Sequence, residues 1–329
     1  MTAEAADRAL AALTGLALGD ALGMPAQTLD RDAIRAAYGR IEGFRAPTEG
    51  HPVSHGLAAA QVTDDTEQTL LLARRLIADA PGFDDAAWAR DLLDWEDEIR
   101  ARGLRDLLGP STKAALLALK GRAPATEAGR NGATNGAAMR IVPVGIATPP
   151  EPAAMVARVA QVSRVTHGRG EALAGAAAVA MVVSQGVTGL GFEDALPQAL
   201  STAALPPVGG DMAAHRAMAD RIALALEVAP RGEEALAREI GTSVASQQSV
   251  ACAFGVLRLA GGDPWQAALI AANIGDDTDT IGAIACGMAA ACAGMAALPA
   301  DQVARLHAAN GLDLAPLVSG LLALRKGAA

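Results

Sequence analysis

The chain has 329 residues, 51% of them apolar and only 2% aromatic, with a formal net charge of −9. An acidic balance with scattered Lys and Arg excludes a general nucleic-acid binder, which needs a basic footprint, and leaves no basic amphipathic stretch for a membrane surface. Cys252, Cys286 and Cys292 fit neither a zinc spacing nor a disulfide framework, so they read as buried free thiols of a reducing, cytoplasmic compartment.

The opening "MTAEAADRALAALTGLALGDALG" begins with acids and has no cationic n-region, so no signal peptide is read. With few rings available, the core must be built from Ala, Leu, Val, Ile and Met, whose small members let helices approach closely. Residues 40–62 form a loop-like stretch rich in Gly, Pro and Thr. Helical periodicity follows over 67–80 and over 84–104, where Trp88, Leu92, Trp95 and Ile99 are spaced by four, three and four. A further helix is expected over 111–121, between Pro110 and Gly121, followed by a second loop-like stretch over 121–150. The same pattern predicts helices over 171–186, 215–229, 233–241, 247–262, 264–275 and 301–310. Ile281 to Leu298 is uncharged for 18 residues, the lower edge of membrane-spanning length, but Ala and Gly supply most of it, so it reads as a buried helix. Strand-like alternation is nearly absent, and no repeat or boundary divides the chain. The expectation is one all-α domain over 1–329 with long functional loops.

Polar islands interrupt the apolar helices. "VTDDTEQTL" (62–70) and "NIGDDTDTIG" (273–282) both carry Asp-Asp-Thr at a helix start. Each alone reads as an acidic cap: at the first, Thr63 is the N-cap of a capping box, with Asp64, Asp65 and Glu67 as dipole-complementing acids of the first turn. Together they bring at least four carboxylates toward buried helices, a cluster that repels itself without a counter-charge. Carboxylate and hydroxyl oxygens with no His or Cys suit Mg2+ or Mn2+ and disfavour zinc, and four aspartates balance two divalent ions. Between the two lie "GRNGATNGAAMRIVPVG" (129–145), whose Asn-Gly pairs let backbone amides approach a ligand, and "SRVTHG" (163–168), with Ser163, Thr166 and His167 before a helix.

"GLALGDALGMP" (15–25), "VTDDTEQTL", "TNGAAMR" (134–140), "SRVTH" (163–167) and "GDDTDTIG" (275–282) stand in the order and rough spacing that resembles the ADP-ribosylglycohydrolase family, from about Thr14 to Met288. The resemblance implies a many-helix orthogonal bundle around a binuclear Mg2+ or Mn2+ centre. It implies hydrolysis of the glycosidic bond at the ribose anomeric carbon of an ADP-ribosylated substrate, either a small molecule or a modified protein. Carried over by motif, the metal ligands are Thr63, Asp64 and Asp65 on one side and Asp277, Asp279 and Thr280 on the other. Asp64 and Asp65 are the catalytic carboxylates, orienting or deprotonating the attacking water. Asn135, Gly136, Met139, Ser163 and His167 line the substrate pocket. Three departures stand out. Asp276 occupies a place where the family commonly has Gly, and is not counted as a ligand. Gln27 stands where the family often has a Glu, and is given no catalytic role. No ring precedes "NGAAMR" to stack on an adenine. A hydrolase of small ribosides or nucleosides, and a non-catalytic ADP-ribose binder, remain as alternatives.

Overall fold

The computed structural model describes residues 2–104 and 107–327. Capping residues set many of the helix starts. Thr2, Asp30, Asp84, Asp211 and Asp263 each accept a hydrogen bond from a first-turn amide. Pro110, Pro152 and Pro264 take positions at the start of a helix where an N–H would be unpaired anyway. In chain order the helices are α1 (Ala3–Gly23), α2 (Arg31–Tyr38), α3 (Asp64–Ala78), α4 (Asp85–Ala101), α5 (Pro110–Lys120), α6 (Ala125–Ala128), α7 (Gly136–Met139), α8 (Val142–Ala147) and α9 (Pro152–Ser163). They continue as α10 (Gly170–Val187), α11 (Phe192–Ala203), α12 (Met212–Val228), α13 (Glu233–Glu239), α14 (Ser246–Leu259), α15 (Pro264–Ala272), α16 (Thr278–Ala293), α17 (Ala300–Asn310) and α18 (Ala315–Gly327). No strand occurs among the described residues. The fold is all-α, as the periodicity predicts.

Glycines at four-residue spacing decide how the core is assembled. Gly15, Gly19 and Gly23 form one stripe on α1. A Cβ at Gly15 would fall 2.6 Å from Ala290 Cβ, one at Gly19 would fall 2.1 Å from the Gly282 carbonyl oxygen, and one at Gly23 would fall 2.6 Å from Asp279 Cα. Bare backbone is therefore what lets α1 lie directly on α16. Residues 11–27 are buried without a break, and so is most of α16. α10 packs beside them and is apolar on nearly every side. By length and composition, α1 with its following turn and α10 could cross a membrane, but the apolar 18-residue windows that qualify them are 94% and 89% buried inside the protein. Their apolarity is that of a core.

The loop over 39–63 is tied down by side chains. Asn273 at the end of α15 bonds both backbone groups of Ile41, and Asn310 bonds Val62 N and Ala60 O. Asn273 also marks where α15 stops, earlier than the periodicity predicts. The stretch over 121–150 is less loop-like than expected, because it folds into the short helices α6, α7 and α8. The capping box expected at α3 does not form: Thr63 makes no side-chain cap bond there. Glu67 turns instead to Trp95 Nε1 at 2.6 Å and to the Arg102 guanidinium at 2.8 and 2.9 Å.

A five-aspartate centre as the candidate active site

The amides at the start of α3 are capped from another helix. Asp20, on α1, accepts from Thr63 N at 3.0 Å, Thr63 Oγ1 at 2.7 Å, Thr66 N at 3.1 Å and Thr66 Oγ1 at 2.5 Å. A carboxylate at a helix N-terminus is favoured by the free amides and the dipole. This bond set fixes α3 on α1, while the glycine stripe fixes α16 on α1. The starts of α3 and α16 therefore meet at Asp20. One carboxylate oxygen each from Asp20, Asp65 and Asp279 lie within 4.8 Å of one another. Asp64 and Asp277 complete the group, with Asn135 Nδ2 donating to Asp277 Oδ2 and, at 2.8 Å, to Ser249 Oγ.

These carboxylates are crowded and under-partnered. Asp65 Oδ1 and Asp279 Oδ1 are buried with no hydrogen-bond partner, and Asp65 Oδ2 has only the Thr63 and Thr280 hydroxyls at 3.4 Å. No Lys or Arg forms an ion pair with any of the five aspartates among the described residues. Burial, then mutual repulsion, raises Asp64, Asp65 and Asp279 well above the usual carboxylate range. Burial pushes Asp20 up to about 6 and Asp277 up to about 7. Buried orphan oxygens in an all-oxygen donor set are what a hard divalent cation satisfies, so the residues present fit such an ion.

The pH dependence of stability follows from these directions. Asp64, Asp65, Asp277 and Asp279 hold protons in the metal-free fold that the unfolded chain has released, so the folded state binds more protons and loses stability as pH rises. Buried His51, His167 and His215 have lowered values and act in the opposite sense, but only below the unfolded histidine value of about 6.5. From pH ~6.5 to ~8, the unfolding midpoint of the chelator-treated protein is expected to fall, and saturating Mg2+ is expected to flatten or reverse that slope. Denaturant titrations across this window check it; a metal-free midpoint that rises with pH contradicts it.

A cavity of about 170 Å3 opens onto the cluster, with Asp64, Asp277, Asp279 and Thr280 on its wall. Gln27, Asn135, Gly136 and Met139 also line it, together with the apolar Leu107, Leu108 and Val244. No aromatic side chain is among the lining residues. Thr63 and Asp65 sit behind the wall, 0% and 1% exposed. Ser163 and His167 are not on the wall either. The Ser163 carbonyl accepts from His167 N at 2.7 Å, and the imidazole backs onto Gly136, where a Cβ would meet His167 Cε1 at 2.7 Å.

Gln27 and Asp276 each have a local reason. Gln27 Nε2 donates to Ser54 Oγ at 2.8 Å, and Ser54 Oγ donates to Met24 O at 2.8 Å. With its one proton committed, the Ser54 hydroxyl needs a donor at position 27, which an amide supplies and an ionised Glu does not. Asp276 is exposed, has φ +60°, and pairs through its backbone with Thr28 and Leu29. Left-handed backbone suits Gly best and Asp better than most. Its carboxyl lines a separate cavity beside Arg31 and Arg35. Asp20 is the site residue that sequence reasoning missed. It lies in the quoted "GLALGDALGMP", and its signal is being the one charge in the buried run over 11–27.

Aspartates drawn from three helices thus form one buried cluster beside a small cavity, in an all-helical fold. The profile of the ADP-ribosylglycohydrolase family matches residues 1–329, and the chain belongs to that family. It is a hydrolase of the ADP-ribosylglycohydrolase type, a family generally dependent on divalent metal. An uncharacterized protein of Escherichia coli K12, YegU, is 33% identical over 327 residues, covering 97% of this chain and 98% of that one. The ADP-ribosyl-[dinitrogen reductase] glycohydrolase of Rhodospirillum rubrum is 35% identical over 170 residues, 49% of this chain and 51% of that one. A solved ADP-ribosylglycohydrolase-related protein complex superposes with a TM-score of 0.74 at 26% identity, with both chains covered in full.

Proposed function

We propose that this chain uses two divalent cations, Mg2+ or Mn2+, to hydrolyse the glycosidic bond at the anomeric carbon of the ribose in an ADP-ribosylated substrate. The observation that carries this reading is the pair of orphaned buried oxygens, Asp65 Oδ1 and Asp279 Oδ1, beside a cavity. Asp20, Asp65, Asp277 and Asp279, with the Thr63 and Thr280 hydroxyls, are the residues to hold the ions. When bound, such ions supply fixed positive charge for the ribose hydroxyls and lower the pKa of water. Of the three cluster carboxylates on the cavity wall, Asp64 is the one not given to the ions, so it orients the attacking water and takes its proton. Asn135 fixes the Asp277 carboxylate, Gly136 and Met139 bring backbone close to the ribose, and Leu107, Leu108 and Val244 exclude bulk water.

One observation favours a second reading. A cavity of about 170 Å3 is smaller than the ~300 Å3 at which ligand pockets usually begin, and it has no ring to hold an adenine. A smaller riboside or a nucleoside is therefore the alternative substrate. Incubation with ADP-ribosylarginine, ADP-ribosylserine, ADP-ribose 1″-phosphate and simple nucleosides, with Mg2+, with Mn2+ and with chelator, separates them. Metal-dependent release of ADP-ribose supports the first reading, and release of free ribose or base from nucleosides alone replaces it with the second. Turnover that survives the chelator sinks both.

A further inference from the structure

Arg140, the last residue of "TNGAAMR", is a guanidinium in the core with no carboxylate partner. It is 1% exposed. Its Nη1 donates to Gln68 Oε1 at 2.5 Å, its Nη2 donates to Thr166 Oγ1, and its guanidinium carbon lies 5.4 Å from the Trp88 ring centroid. None of these partners is charged. A buried cation so placed is costly unless an opposite charge acts on it from nearby.

That charge is one residue away. Gln68 Nε2 donates to Asp64 Oδ2 at 3.4 Å, so the amide accepts from the guanidinium on one end and donates to the carboxylate on the other. Burial lowers the Arg140 guanidinium to about 10, and the Asp64 charge is what acts against that shift. On the other side, Thr166 Oγ1 accepts from Arg140 and meets His167 Nδ1 at 2.8 Å. The other ring nitrogen, Nε2, lies 3.1 Å from Thr134 Oγ1. His167 is held neutral by burial and by Arg140 itself, so it adds no positive charge here. Five carboxylates carry one more negative charge than two divalent cations neutralise, and Arg140 can supply the one that remains.

We propose that Arg140 is the fixed countercharge of the aspartate centre, a positioning residue that orients Asp64 through Gln68 and sets how tightly the centre holds divalent cations. This rests on reading the aspartates as a cation centre. The test uses the full chain stripped with chelator, Mn2+ as the probe, and the variants Arg140→Met and Arg140→Lys. Mn2+ affinity is read from the electron paramagnetic resonance signal of the free ion, and thermal midpoints are taken with and without Mn2+. Removing a positive charge near a cation site should tighten Mn2+ binding in Arg140→Met by about tenfold, while Arg140→Lys stays within about threefold of the parent. The midpoint of Arg140→Met should fall more without Mn2+ than with it. An unchanged or weaker affinity in Arg140→Met, with equal losses of midpoint in both conditions, makes Arg140 merely structural and overturns the proposal. Where Arg140→Met does not fold, Arg140→Lys decides: a tenfold change in affinity with the charge kept overturns it as well. A parent chain that binds no Mn2+ overturns the cation centre itself, a result distinct from either.

Discussion

Asp279→Ala is expected to abolish divalent-cation binding and to lower hydrolysis by about a hundredfold to a thousandfold, the scale of losing one group that stabilises charge at a reacting centre. Asp279 is 2% exposed, its Oδ1 has no partner, and it shares a 4.8 Å neighbourhood with Asp20 and Asp65. Loss of activity alone would not separate a lost ligand from a damaged fold, but the stability of the metal-free protein does. Removing one of five crowded carboxylates relieves repulsion, so the chelator-treated variant should unfold no earlier than the parent above neutral pH. The parent should gain stability on adding Mn2+ and the variant should not. Calorimetric titration with Mn2+ and unfolding midpoints check both. A variant that still binds Mn2+ with parental affinity and stoichiometry removes Asp279 from the centre.

Gly19→Ala has the largest expected effect on the fold. The new Cβ would fall 2.1 Å from the Gly282 carbonyl oxygen and 2.9 Å from Ala283 N, and both are backbone atoms of a buried helix. Neither can turn aside, so α1 and α16 must separate, and a loss of about 3 kcal/mol or more is expected. Asp20 is the next residue, so the separation also pulls its carboxylate from Asp279 and weakens cation binding. Gly287→Ala is the control. There a Cβ would meet Leu16 Cβ and Val142 Cγ2 at 3.3 Å, a contact relieved by a shift of a few tenths of an ångström, and about 1 kcal/mol or less is expected. Equal stability of the two variants in denaturant titrations contradicts the role given to the glycine stripe.

The helices with a clear apolar stripe and a polar opposite face, such as α4 and α12, were legible because burial on one side leaves a period in the sequence. The two Asp-Asp-Thr starts were legible for a related reason: such charge in front of a buried helix is too costly to be decoration. Other features leave no such trace. α11 carries Pro197 inside it, which reads locally as a break. The short helices α7 and α8 hold only 4 and 6 residues, too few for a period. Asp20 caps α3 from across the core, and a partnership over 43 positions has no local signature. Glu67 reads as a dipole-complementing acid of the first turn of α3, but the tertiary bonds to Trp95 and Arg102 take it. Ser163 and His167 fall in a motif that reads as a pocket wall, yet their hydrogen bonds and packing set them behind Gly136. Sequence order can place residues near a site; only packing decides which of them face it.

On the proposed reading, these aspartates form one binuclear cation centre beside the cavity. The most direct measurement is an anomalous-difference map from crystals of the full chain grown with Mn2+. Two peaks among the carboxylates of Asp20, Asp65, Asp277 and Asp279, with the Thr63 and Thr280 hydroxyls beside them, are predicted. Strong Mn2+ peaks elsewhere, with none at this cluster, would contradict it.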